Sequence, residues 1–376
     1  MMITVSAPGK LMLSGEWSVL ERDVPCIVLA VDKRVFVSIR EADKITIKLR
    51  DFGITTDAYI ERSSIIFEEK DESLLFTKFA IDTALKYLQE KQIPIKNFEL
   101  ETHANISTIS NEETGEEVKI GFGSSAAAVV AIIAALLKLH EVLSLTDEDT
   151  AKLKEKEIIF KLGIIAHYLG QGKLGSGFDV AASTFGGALV YKRFDPQWLE
   201  KALREKSMVK VIEEKWPLLE HWNIPLPSDF ELFVAFTGTS ASTRKLVRQI
   251  KLFKEEDPDE YHKIILAIKN VTEKLIVALS NAAKKEILAL LDRNRELLED
   301  LSNACECHLE IEAHQIMSDI AAEYGAVAKF SGAGGGDCSI GVCFDKITAK
   351  KILEEWENKG FVPIDVKITA KGLYLH

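Results

Sequence analysis

Three small-residue segments of this chain read as loops, each placed where a phosphate-binding turn would sit. They are Ser6-Ala7-Pro8-Gly9-Lys10-Leu11, Lys119-Ile120-Gly121-Phe122-Gly123-Ser124-Ser125-Ala126 and Ser331-Gly332-Ala333-Gly334-Gly335-Gly336-Asp337. Glycine lets backbone N–H groups approach phosphate oxygens, and a helix N-terminus adds the positive end of a dipole. Three such segments together predict a site assembled around a polyphosphate. The middle one opens onto residues 126–139, almost wholly Ala, Val, Ile and Leu, which reads as a buried helix. Ser124 and Ser125 then fall in its cap or first turn, where a hydroxyl can cap the helix, ligate Mg²⁺ or touch phosphate. A capped core helix without a ligand accounts for that segment alone equally well. It is not a Walker A loop, because no Gly-Lys-Ser or Gly-Lys-Thr closes it.

The elements that must position these groups are mixed. Residues 3–6, 26–31, 35–40 and 45–49 read as strands, 74–92 as an amphipathic helix and 98–103 as a further strand. A second helix is expected from about 147 to 169, with a capping box at Thr146 and Asp149. A strand at 186–191 leads to Phe194-Asp195-Pro196, where the composition changes, so the expected domains are 1–195 and 196–376. Trp216-Pro217, Pro225 and Pro227 mark an irregular stretch and a candidate domain boundary. Beyond it come a strand at 230–236 and helices at 240–253, 258–279 and 284–325, the last too long not to break. Strands at 327–330, 338–344 and 362–368 and a helix at 348–359 complete the chain. Strict βαβ alternation is missing, so the fold class is α+β.

The 376 residues allow two domains with ample core, and 47% hydrophobic with 28% charged content is that of a globular protein. A net charge of −11 argues against a nucleic-acid partner. No apolar run reaches the ~18 residues of a membrane span and no signal peptide is evident, so a cytoplasmic location is expected. Five scattered cysteines read as reduced, buried thiols. Cys305, Cys307 and His308 lack zinc-ligand spacing. The small-molecule ligand is then met by a monomer or homodimer.

In their order and separations the three segments resemble those of the GHMP kinase superfamily, from Ser6 to Phe344. A fourth stretch narrows the likeness. Residues 167–182, containing His167, Gln171-Gly172-Lys173, Gly175-Ser176-Gly177-Phe178-Asp179 and Ala181-Ala182, resemble the signature of fungal-type phosphomevalonate kinases. So does the continuation through Phe185-Gly186-Gly187 to Arg193-Phe194. The resemblance implies an N-terminal domain like ribosomal protein S5 domain 2, a ferredoxin-like C-terminal domain and a site between them. It implies ATP and Mg²⁺ as cofactors and phosphorylation of (R)-5-phosphomevalonate to the 5-diphosphate. Gly15-Glu16, by contrast, looks more like mevalonate kinase, and a non-catalytic binder is the rival from another class.

On that resemblance, Lys10, Lys119 and Asp179 are the catalytic candidates, and Gly121, Phe122, Gly123, Ser124, Ser125 and Ala126 hold the nucleotide. Lys173, Ser176, Gly177, Arg193, Arg244, Gly332, Ala333 and Gly334 are the substrate-binding candidates, with Ser124 or Ser125 on Mg²⁺. Each has a plainer reading. Lys10 and Arg193 can be surface cations, Asp179 can be an Asx turn or helix cap, and His167 reads as a satisfied structural histidine. A phosphate acceptor has a second pKa near ~6, so Asp179 can serve as an orienting group rather than a base.

Overall fold

The β-branched runs near the N-terminus join into longer strands than their local pattern predicts. In the computed structural model, β1 (Ile3–Ser14) passes straight through residues 6–11, and β2 (Pro25–Glu41) unites the runs at 26–31 and 35–40. The first glycine segment is therefore strand, not loop. It pairs antiparallel with β2 on both sides of a register shift between Pro8 and Gly9. Pro8 has no N–H to give a ladder, and a bulge is where a sheet tolerates that loss. The structure describes the backbone outside residues 106–107, 111–116, 144–148 and 240–242. It describes side chains outside 106–119, 144–152 and 240–245. The capping box expected at Thr146 and Asp149 lies outside the described residues.

The order continues with β3 (Ile45–Leu49), β4 (Ile54–Glu61), β5 (Ser64–Phe67), α1 (Leu75–Glu90) and β6 (Phe98–Ala104). A small hairpin, β7 (Thr108–Ser110) with β8 (Glu117–Lys119), precedes α2 (Ser124–Leu139), α3 (Asp149–Gly170) and α4 (Phe178–Phe185). Then come β9 (Ala188–Lys192), α5 (Pro196–Glu205), α6 (Met208–Glu213) and β10 (Glu220–Ile224). Apart from the β7–β8 hairpin, these strands form one sheet in the order β10-β9-β2-β6-β3-β4-β5, with β1 beside β2. Helix α2 packs on β1 and β2 and is flanked by α1, α3 and α4. Its apolar run has no polar face because it is covered all round, with Val129–Leu137 wholly buried. The chain leaves this sheet only after Ile224, beyond the division expected at 195.

The second sheet is built from β11 (Glu231–Phe236), β12 (Val327–Phe330), β13 (Cys338–Cys343) and β14 (Val362–Pro363). Between β11 and β12 lie α7 (Thr243–Glu256), α8 (Pro258–Ser280), α9 (Lys284–Ala304) and α10 (Glu312–Glu323), and α11 (Lys346–Asn358) joins β13 to β14. The antiparallel order β14-β11-β13-β12 is the ferredoxin-like one. One face carries α10 and α11, through Phe233, Met317 and Trp356. The other face, with Val234 and Ile340, shares a continuous core with the first sheet through Leu275 and Leu279 of α8. Finally β15 (Tyr374–Leu375) returns to pair with β1. Arg34 clamps that tail, donating to the carbonyls of Lys371 and Gly372 at 3.0 and 2.6 Å.

A buried ion pair also bridges the two sheets. Glu16, just after β1, meets Lys329 of β12, with the side chains 0% and 2% exposed. Burial raises the Glu16 pKa, and the Lys329 charge opposes that shift. The long helix expected at 284–325 breaks after Ala304, where Glu306 and His308 take positive φ. That turn brings Cys305 and Cys307 into a disulfide, which corrects the reading of five reduced thiols. The other three cysteines are free and buried. Among the described residues no helix is long and apolar enough to cross a membrane.

Candidate active site

The site begins with how β1 delivers Lys10. The bulge at Gly9 sets β1 against the second glycine segment, and the Lys10 N–H donates to the Phe122 carbonyl at 2.8 Å. Phe122 is wholly buried and anchors that segment to the core. Gly123 then caps α2 in the left-handed region (φ 76°), with no side chain on the cap. Ser124 and Ser125 are the first two helical residues, where N–H groups have no intrahelical acceptor. A Cβ on Gly123 would lie 3.1 Å from both Cγ and Cε of Lys10, so glycine is what lets the lysine stem pass.

Lys10 joins all three segments. Its ammonium donates to the Gly121 carbonyl at 3.2 Å. A Cβ on Gly332 would lie 4.0 Å from Nζ. Burial lowers the Lys10 pKa, while the charges of Asp179 and Asp337 pull it back up. The third segment is stitched to β1 by Ser331, whose hydroxyl accepts from Met12 N–H at 2.8 Å and donates to the Met12 carbonyl at 3.1 Å. Gly334 (φ 76°) packs so tightly that an added Cβ would lie 2.4 Å from the Leu309 carbonyl.

Asp179 sits in the first turn of α4, behind the left-handed cap residue Gly177 (φ 90°). A carboxylate is favoured there by the helix dipole. One oxygen accepts from Val180 N–H at 2.9 Å. The other lies 3.5 Å from Nδ1 of His167, whose Nε2 is 3.1 Å from Ser125 Oγ. Burial lowers the pKa of that imidazole, against the opposing pull of Asp179. The turn is held from below by Tyr191, which donates to the Ser176 carbonyl at 2.6 Å.

Lys10, Gly121, Gly123, Ser124, Ser125, Ser176, Asp179, Gly332 and Ala333 thus line one cavity of about 620 Å³. Its apolar wall includes Met12, Trp17 and Phe178. Ala126 is buried behind it, and Gly177 and Gly334 shape the backbone around it. Two of the expected cations point elsewhere. Arg193 donates to the carbonyls of Leu20 and Gly175 at 3.1 and 3.0 Å, so it braces the loop. Lys173 lies 3.5 Å from Glu200 and lines a separate cavity of about 700 Å³. The side chains of Lys119 and Arg244 lie outside the described residues. Trp17 and Asp337, which line the cavity, and His167, which stands behind it, had no functional role assigned from sequence. Asp337 closes the third segment, and its Oδ2 would lie 2.9 Å from a Cβ on Gly121. Only its place at the end of that segment hinted at it.

Known proteins resemble this chain in sequence and in fold. Residues 78–187 match GHMP kinases N terminal domain, and residues 287–362 match GHMP kinases C terminal. A mevalonate kinase of Thermococcus sibiricus (strain DSM 12597 / MM 739) is 30% identical, over 99% of this chain and 98% of its own length. The chain belongs to the GHMP kinase family. It is thus a phosphotransferase. Another relative is a phosphomevalonate kinase of Streptomyces sp. (strain CL190), 26% identical over 98% of this chain and 97% of its own. A solved Streptococcus pneumoniae phosphomevalonate kinase, in complex with phosphomevalonate and AMPPNP, superposes with a TM-score of 0.82. It covers 97% of this chain and 99% of its own, and at 22% identity it shows the shared fold. In this GHMP kinase the N-terminal family segment carries α2 and Asp179, and the C-terminal one carries the third glycine segment.

The donors facing the cavity of this GHMP kinase suit a hard cation. Ser124, Ser125, Asp179 and Asp337 offer hydroxyl and carboxylate oxygens. Among the described residues no group of three His, Cys, Asp or Glu side chains could cage a metal alone. Mg²⁺ is held in that fashion, by one or two protein oxygens with phosphate oxygens and water making up the rest.

Proposed function

We propose that this GHMP kinase transfers the γ-phosphoryl group of ATP to the phosphate of (R)-5-phosphomevalonate, a step of isoprenoid biosynthesis. An oxygen of the 5-phosphate forms the new P–O bond, the bond to the β-phosphate breaks, and ADP leaves. The observation that carries the reading is the state of Asp179. Both carboxylate oxygens are engaged, one by Val180 N–H and one against His167. That is the geometry of an anchor. A hydroxyl acceptor needs a base, whereas a phosphate acceptor arrives ionised. The stretch that resembles phosphomevalonate kinases, 167–182, also forms one wall of the cavity, through Gln171, Ser176 and Asp179.

In this reading Lys10 meets the transferring group between the glycine segments and offsets its charge. The N-terminus of α2 and Gly121–Gly123 take the nucleotide phosphates. Ser124 and Ser125 are the residues that would hold Mg²⁺, which neutralises phosphate charge when bound. Mevalonate kinase is the second reading, favoured by the Thermococcus sibiricus relative. The Gly15-Glu16 likeness does not add to it, because Glu16 is spent on Lys329. An ADP-release assay with mevalonate, 5-phosphomevalonate, galactose and homoserine side by side decides between them. Turnover with 5-phosphomevalonate is expected, and faster turnover of mevalonate refutes the proposal.

A further inference from the structure

His167 stands at the junction of three helices. It lies in the last turn of α3 and is 1% exposed. Its ring stacks on Phe76 of α1, with centroids 5.1 Å apart and planes at 27°. From there Nε2 reaches Ser125 at the start of α2, and Nδ1 faces Asp179 at the start of α4. Both partners line the cavity, and His167 itself does not.

With the buried ring neutral, the donor and acceptor inventory leaves one consistent arrangement. An ionised carboxylate only accepts, so the ring nitrogen facing Asp179 must carry hydrogen. A neutral ring then has its lone pair on Nε2, and Ser125 must donate to it. The opposite tautomer would set a lone pair against the Asp179 carboxylate. A ring whose tautomer is fixed by its neighbours also fixes their orientation in return.

We propose that His167 is a positioning residue held as the Nδ1–H tautomer. It aims the Asp179 carboxylate, and it takes the Ser125 hydroxyl hydrogen so that Ser125 presents only lone pairs to the cavity. Ser124 has no such partner in the described structure, so the two adjacent serines differ in what they can offer. Ser125 can accept or ligate, whereas Ser124 keeps a hydrogen to donate. The catalytic consequence rests on the kinase reading above. The tautomer does not, because it follows from the protein alone.

Two measurements test this. The first uses protein carrying ¹⁵N-labelled histidine, without ligand, and a two-bond ¹H–¹⁵N correlation spectrum near neutral pH. The His167 signals are identified by their loss in His167→Gln. Protonated Nδ1 with bare Nε2 is expected, and Asp179→Asn should move those signals. A ring protonated at Nε2, or at both nitrogens, overturns the proposal, as does a spectrum indifferent to Asp179→Asn.

The second compares two replacements that each keep half of the bridge. The Asn amide falls near the place of Nδ1 and can still donate to Asp179. The Gln amide reaches the place of Nε2 and can still serve Ser125. We expect His167→Gln to lower kcat by ~10–100-fold, the usual cost of losing an outer partner, with KM little changed. We expect His167→Asn to keep more of kcat while needing more Mg²⁺, a need also read as weaker Mn²⁺ binding by paramagnetic resonance. Equal losses in both variants that simply follow their melting temperatures would show a structural filler and overturn the role. If mevalonate proves the better substrate, the kinetic comparison is made with it while the ligand-free spectrum is unaffected, so that outcome and this one stay separate.

Discussion

Replacing Gly123 by alanine separates backbone strain from damage to the catalytic lysine. Two costs follow from the structure. The residue sits at φ 76° and ψ 35°, where a Cβ is disfavoured by ~1 kcal/mol. The new methyl also lies 3.1 Å from Cγ and Cε of Lys10. Relaxed carbon contacts are ~3.5–4 Å, so the lysine stem must shift by about half an ångström. That shift moves the ammonium that bridges the glycine segments. Removing a preorganised charge stabiliser costs ~3 kcal/mol, and a displaced lysine keeps part of it, so kcat should fall about tenfold to a hundredfold. Nucleotide affinity should weaken too, because the same methyl crowds the N-terminus of α2. Gly53→Ala is the control. Gly53 has φ 64° and open space around it, so it carries similar strain with nothing to strike. Urea unfolding, steady-state kinetics and calorimetry with an ATP analogue are run on both variants. Equal losses of stability with kcat and affinity spared in Gly123→Ala would refute the reasoning.

Two further outcomes are expected. Lys10→Met should lower kcat at least as much as Asp179→Asn, and the Asn variant should lose relatively less as pH rises through the substrate's second phosphate pKa. Profiles of kcat against pH check this, with circular dichroism to confirm folding. His314 gives a stability signal: burial pushes its pKa down to about 4, so it is neutral in the fold and charges when the chain unfolds. The unfolded chain binds the extra proton, so this stability is complete above pH 6.5 and is lost as pH falls toward 4, by up to ~3 kcal/mol. Urea unfolding at pH 7 and 5 should show a smaller pH effect in His314→Gln than in the parent.

The chemistry of this site was more legible in the sequence than its geometry. Gly121–Ser125 could be read because the glycines, the serines and the long apolar helix are neighbours in the chain. The mixed fold was legible in the order of strands and helices, and the ferredoxin-like second half through the family resemblance. Residues 6–11 misled, since Pro8-Gly9 looks like a turn and only pairing with β2 reveals a bulged strand. The destinations of Lys173 and Arg193 were hidden for a similar reason. Glu200 and the Leu20 carbonyl are partners that no local pattern announces. His167 read as a structural histidine because the two groups it touches lie on other helices. The disulfide depended on a helix break that periodicity could foresee but not place.

The strand that bears Lys10 has neighbours drawn from opposite ends of the chain. On one edge lies β2, its immediate successor, and on the other lies β15, with Ser6 bonded to His376 across a separation of 370 residues. During synthesis, therefore, β1 waits with an open edge while the residues between it and β15 are made. Loop-closure entropy grows only slowly with length, so this late docking costs little in final stability. Its effect is on order: the helix-backed sheet can condense early, and the tail seals its edge last.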